Sequence, residues 1–194
     1  MTEVAEVAER KKQVPDFDRV RAYFLYFMLY SVIGWCYEVF LEVVVYRWGF
    51  TNRGFLFGPY CPVYGFGAVI FILCFSSLKR RGGGRFFRLV KPLIIGAGCM
   101  ITATAIELAV SYMLELLTGS WPWQTYADYT YNFQARIALS PSIRFGLGGL
   151  LFLYVLQPCF EKAVSKLDLR SFNICFRALA AIILIDCACT FLPI

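Results

Sequence analysis

Five long apolar runs dominate the chain, at about residues 22–46, 62–78, 92–117, 141–160 and 173–192. At ~1.5 Å of rise per helical residue, runs of this length cross most or all of a ~30 Å hydrocarbon core. The pattern predicts an all-α integral membrane protein, a bundle of about five transmembrane helices filling residues 22–194. Residues 1–21 are polar and mixed in charge. There Val4, Val7, Ala8 and Val14 make a weak helical stripe opposite Glu3, Glu6 and Glu9. This segment reads as a short interfacial or cytoplasmic helix; it lacks the short apolar core and small-residue cleavage site of a signal peptide.

Two of the intervening segments are unusual. Asn52-Arg-Gly-Phe-Leu-Phe-Gly-Pro-Tyr-Cys-Pro-Val-Tyr-Gly-Phe-Gly67 combines glycines that accept positive φ with prolines that lack a backbone donor. Such backbone exists at membrane depth only where protein or water satisfies it. The segment therefore reads either as a tight loop that starts helix two at Pro62, or as a broken, partly re-entrant element of the sort that lines transporter sites. Residues 118–140 carry Trp121, Trp123, Tyr126, Tyr129 and Tyr131. They suit an interfacial aromatic belt, or a structured cap over the bundle.

Composition agrees with the pattern. Apolar residues make up 59% of the chain and charged residues 16%, against about a quarter charged in soluble domains. The net charge of +6 is explained by topology rather than by nucleic acid. Fifteen of the 19 Lys and Arg residues lie in the N-terminal segment, in the 79–91 loop and around 162–177. The other four, Arg47, Arg53, Arg136 and Arg144, fall on the opposite side. Positive-inside bias then places the N-terminus in the cytoplasm and the C-terminus outside. The 79–91 loop is expected to meet anionic lipid headgroups. The eight cysteines lie mostly inside apolar runs without a CxxC pair and read as small hydrophobes. With no histidine, His-ligated metals, haem and Ser-His-Asp catalysis are excluded. No P-loop or nucleophile motif occurs either. No enzyme activity, cofactor or metal is expected.

Intramembrane acids are the candidate chemistry. Counting from the start of each run, Glu38 lies ~24 Å, Glu107 ~22 Å and Asp186 ~20 Å along its helix. Glu42 and Glu115 sit nearer the outer edge. A carboxylate at the membrane centre costs ~2.5–3.5 kcal/mol, so these groups should face the bundle interior. Ser31, Gly34, Trp35, Glu38 and Glu42 share one helical face; Gly96, Ala103, Glu107, Ser111 and Glu115 share another. These faces predict that spans one and three meet near the bundle axis. They further predict that Glu38, Arg53, Glu107 and Arg136 converge on one polar site in the outer third of the bilayer. Asn52, Asn132, Trp35, Glu42 and Asp186 would surround it. The outer arginines either neutralise these acids structurally or share them with a ligand.

Three stretches carry a family resemblance. They are Ser31-x-x-Gly34-Trp35-x-x-Glu38; Asn52-Arg53-Gly54-Phe55-Leu56-x-Gly58-Pro59-x-Cys61-Pro62-x-Tyr64-Gly65; and Asn132-x-x-x-Arg136-Ile137 with a Gly-rich span ending in Gln157-Pro158. Over residues 22–160 they resemble the ABC-transporter type IV family, also called the CmpB family. Gly34, Trp35, Glu38, Asn52, Arg53, Gly54, Gly58, Pro59, Pro62, Gly65, Asn132 and Arg136 fill the family's characteristic positions. Family members typically have Gly-Arg where this chain has Ala135-Arg136. The resemblance implies a bacterial plasma-membrane permease subunit without a settled substrate, working with a separate ATPase or as a homo-oligomer. A non-transporting accessory or scaffolding protein, whose buried charges only hold the fold, is the first alternative. An intramembrane enzyme acting on lipid or cell-wall precursors is the second.

Overall fold

The computed structural model describes residues 16–192 except 53, 55 and 122. The helical expectation for residues 1–15 lies outside them. Among the described residues six α-helices run in order: α1 (Asp16–Phe40), α2 (Pro62–Arg80), α3 (Arg85–Thr118), α4 (Leu139–Leu151), α5 (Gln157–Val164) and α6 (Leu169–Phe191). A π-helical turn, Leu41–Val45, extends α1, and another, Phe152–Leu156, joins α4 to α5. Among the described residues, five helical stretches are long and apolar enough to cross a membrane: Arg19–Val45, Pro62–Arg80, Arg85–Leu117, Leu139–Val164 and Leu169–Phe191. The all-α membrane bundle is thus the observed architecture. The third stretch starts seven residues before the expected residue 92, because Pro92 lies inside α3. The carbonyl it leaves without a helical partner belongs to Arg88, an exposed residue in the first turn. The second π turn has a similar origin. The ring of Pro158 would clash with the carbonyl of Tyr154, and the wider turn relieves that contact.

The chain divides into two compact units, one of residues up to 69 and from 162, the other of residues 70–161. In the first unit α1 and α6 start side by side and run parallel. Arg21 donates to Asn173 (2.5 Å), and Phe24 meets Phe176 edge to face. Asp168 caps α6, accepting from the amides of Arg170 and Ser171. Bonding to Ser171 holds its carboxyl below the ordinary carboxylate range. The small-residue face of α1 meets the start of α2. A side chain at Gly34 would run into the ring of Tyr64; one at Gly65 would strike Ser31 and the carbonyl of Phe27. Only glycine permits this approach.

In the second unit α3 packs antiparallel to α4. Gly146 lies against the backbone of Gly96, Gly149 against Cys99, and Thr104 donates to Ser142 (2.8 Å). Lys79 reaches a carbonyl in the π turn, that of Leu153 (2.5 Å). Between α3 and α4 lies a small cap: a 3-10 turn, Gln124–Asp128, then a two-residue antiparallel hairpin pairing Asn132 with Ala138 and Phe133 with Ile137. The aromatic-rich segment is therefore a structured element. All eight cysteines are free.

Candidate functional site

The segment between α1 and α2 is re-entrant. The amide of Cys61, one residue before α2, donates to the carbonyl of Ser31 (2.8 Å). Ser31 lies fourteen residues before Val45, so the chain has descended roughly 20 Å along α1 before α2 begins. Leu56 and Tyr60 are buried with Met28, against Phe24, Leu179 and Ile183. The loop thus fills the core between α1 and α6. Gly54 takes φ +109°, a conformation that disfavours any Cβ. At that depth the loop's amides need acceptors, and Asp186 supplies them. Its carboxylate accepts from the amides of Phe57 (2.9 Å) and Gly58 (2.7 Å) and from the hydroxyls of Tyr60 and Thr190.

The other expected residues of this unit lie along the same loop. Trp35 donates its indole N–H to Asn52 Oδ1 (2.8 Å), and Asn52 Nδ2 donates to the carbonyl of Phe57 (3.0 Å). Glu42, in the π turn and buried, accepts from the hydroxyl (2.6 Å) and amide (3.2 Å) of Thr51. Glu38 accepts from the hydroxyl of Tyr64. Arg53, the expected partner of Glu38, lies outside the described residues. A cavity of about 590 Å³ opens in this unit beside the loop, lined among others by Phe27, Glu38, Cys61, Tyr64, Ile183 and Phe191.

A second polar cluster holds the cap of the other unit. Arg136 is buried, with its guanidinium centred 3.9 Å from the ring of Trp121 and 4.1 Å from that of Tyr112. It pairs with Glu115. The indoles of Trp121 and Trp123 donate to the carbonyls of Ala135 (3.1 Å) and Arg136 (2.9 Å). Asn132 Oδ1 accepts from the amide of Ala135 (3.1 Å), and its Nδ2 donates to the carbonyl of Tyr129 (2.8 Å). Glu107 accepts from Tyr126 (2.9 Å). Its second oxygen is buried without a hydrogen-bond partner among the described residues. Burial, and then the Glu107 carboxylate, push the Tyr126 hydroxyl above its ordinary range. Glu38 and Glu107 therefore sit in different units, each bonded to a tyrosine of its own unit. Arg136 engages Glu115, eight residues beyond Glu107.

Residue type alone did not mark the tyrosines. Tyr60 and Tyr64 both lie in the Gly/Pro-rich stretch 52–67, which was the available signal. Their carboxylate partners come from α6 and α1.

Fold and clusters define a multi-pass α-helical membrane protein with a re-entrant loop. The chain belongs to the CmpB family: residues 25–191 match the family described as "Putative ABC-transporter type IV". The match continues past residue 160, where the recognisable motifs end, and takes in α6 with Asp186. Comparison with curated proteins gives no match, and comparison with solved structures gives none either.

Proposed function

We propose that this chain is the membrane-embedded permease-type subunit of a transporter, with the re-entrant loop as its substrate-facing element and ATP hydrolysis supplied by a separate chain. The single observation that carries this reading is irregular backbone descending roughly 20 Å along α1 and latched on the Asp186 carboxylate. Irregular backbone at membrane depth is tolerated where protein buries it or where it lines a cavity or path, and Gly54, Leu56 and Cys61 of this segment line a cavity. Family membership supports the partnership with an ATPase. In this reading the protein sits in a bacterial plasma membrane with its N-terminus in the cytoplasm, and the loop and cap face outward. The exposed Arg80, Arg81, Arg85 and Arg88 then meet anionic headgroups, at ~1 kcal/mol each.

A second reading, a non-transporting accessory or scaffolding protein, is favoured by a specific observation. Both Asp186 carboxylate oxygens find hydrogen-bond donors inside the chain, as those of a purely structural charge would.

Copurification decides between them. Full-length tagged chain, solubilised mildly from native membranes, should bring a nucleotide-hydrolysing subunit with it. Recovery of the chain only with itself, or with partners that bind no nucleotide, would favour the scaffold.

A further inference from the structure

We propose that the cavity of the first unit is a binding site for a hydrophobic amine, an aliphatic chain bearing a protonated ammonium head. At about 590 Å³ the cavity falls within the ~300–1,000 Å³ of small-ligand sites. Its shape is given by α1. Phe27 lines one part and Glu38 another, eleven residues apart, or ~16 Å along the helix axis. The walls are otherwise largely aliphatic and aromatic, with Phe66 on α2 and Ile183 and Phe191 on α6. Among the described lining residues Glu38 is the one carboxylate, and none is a lysine or arginine. The cavity is therefore long and apolar, with a negative group toward one end.

Charge complementarity selects the ligand. A carboxylate offers about four lone-pair sites, and the hydroxyl of Tyr64 occupies one on Glu38. An ammonium group can take further sites on the same carboxylate. An anionic amphiphile of equal length would bring like charge against Glu38. Two sources share this chemistry, a free long-chain amine and a membrane lipid with an amine headgroup. The site goes beyond the permease reading, because it holds whether or not the amine is moved across the membrane.

The test uses the full chain in phosphatidylcholine nanodiscs. Dodecylamine, lysophosphatidylethanolamine, dodecanol and dodecyl sulfate are titrated separately. The readout is protection of Cys61 and Cys187, which line the cavity, from a small thiol reagent, with Cys74 and Cys159 outside it as internal references. Saturable protection by dodecylamine is expected, weakened on the order of tenfold by Glu38→Gln. Protection by lysophosphatidylethanolamine as well would identify the lipid source; its failure would leave the free amine. If Glu38→Gln does not fold, Val63→Trp fills the cavity from α2 and should abolish protection. Equal protection by dodecanol or dodecyl sulfate, or dodecylamine protection unchanged in the folded variants, would overturn the proposal.

Discussion

Two irregular segments of this protein are each held by one charged side chain, and the charges have opposite sign. The loop between α1 and α2 is held by Asp186; the cap between α3 and α4 is held by Arg136. Backbone need explains the difference. The cap closes on itself: Arg136 N–H bonds to Phe133, Leu139 N–H to Tyr131, and Asn132 caps the turn. What it lacks is a filled centre, and a planar guanidinium stacks between Trp121 and Tyr112. The loop descends beside α1, and its amides at Phe57 and Gly58 take their acceptor from α6 rather than from the loop itself. A carboxylate accepts several donors at once, so an acid suits that place. The guanidinium packs against two rings, whereas the loop latched by the acid lines a cavity.

This comparison can be broken most directly at Asp186. Asp186→Asn keeps the size but loses acceptor capacity and charge for two amides and a tyrosine. A loss of roughly 2–3 kcal/mol is expected, read as a lowered thermal midpoint in nanodiscs. Cys61, buried beside the loop, should label faster with thiol reagents in this variant. Unchanged labelling would mean that Asp186 does not hold the loop.

Arg136→Lys sharpens the contrast. Lysine keeps the charge but loses the flat stack and cannot bond Glu115 and Ser111 together as the guanidinium does, at a cost of about 1–2 kcal/mol. The expected signature is altered fluorescence from Trp121 and Trp123 with Cys61 labelling unchanged, because every described contact of Arg136 lies within residues 70–161. Faster Cys61 labelling would show that the two latches do not act separately.

The smallest effect is expected at Ala135, which takes φ +55° in the hairpin turn. A left-handed conformation costs a non-glycine residue ~1–2 kcal/mol. Glycine relieves this strain but loses more chain entropy on folding, ~0.4–1 kcal/mol. Ala135→Gly should therefore stabilise the protein by about 0.5–1 kcal/mol, raising the thermal midpoint slightly. A lowered midpoint would show that the turn does not carry this strain.

The sequence by itself determined the elements that answer to a solvent. A hydrocarbon core demands runs of about twenty apolar residues, so five spans and their approximate ends were legible without coordinates. Gly54, Gly58, Pro59 and Pro62 forecast irregular backbone, since their conformational limits are local. The small residues of α1 forecast a close helix contact, and Gly34 and Gly65 make one. Pairing was another matter. Nothing local links Asp186 to Phe57 and Gly58, nearly 130 residues away, or sets Arg136 between Trp121 and Tyr112. A buried charge demands a partner but does not name it. Depth along a helix reports how far a carboxylate lies from the helix end, not which donor faces it. Glu38 and Glu107, predicted at matching depth, accordingly bond to Tyr64 and Tyr126 in separate units. Those partners are chosen by the packing of whole helices and by the descent of the loop, which only the tertiary structure decides.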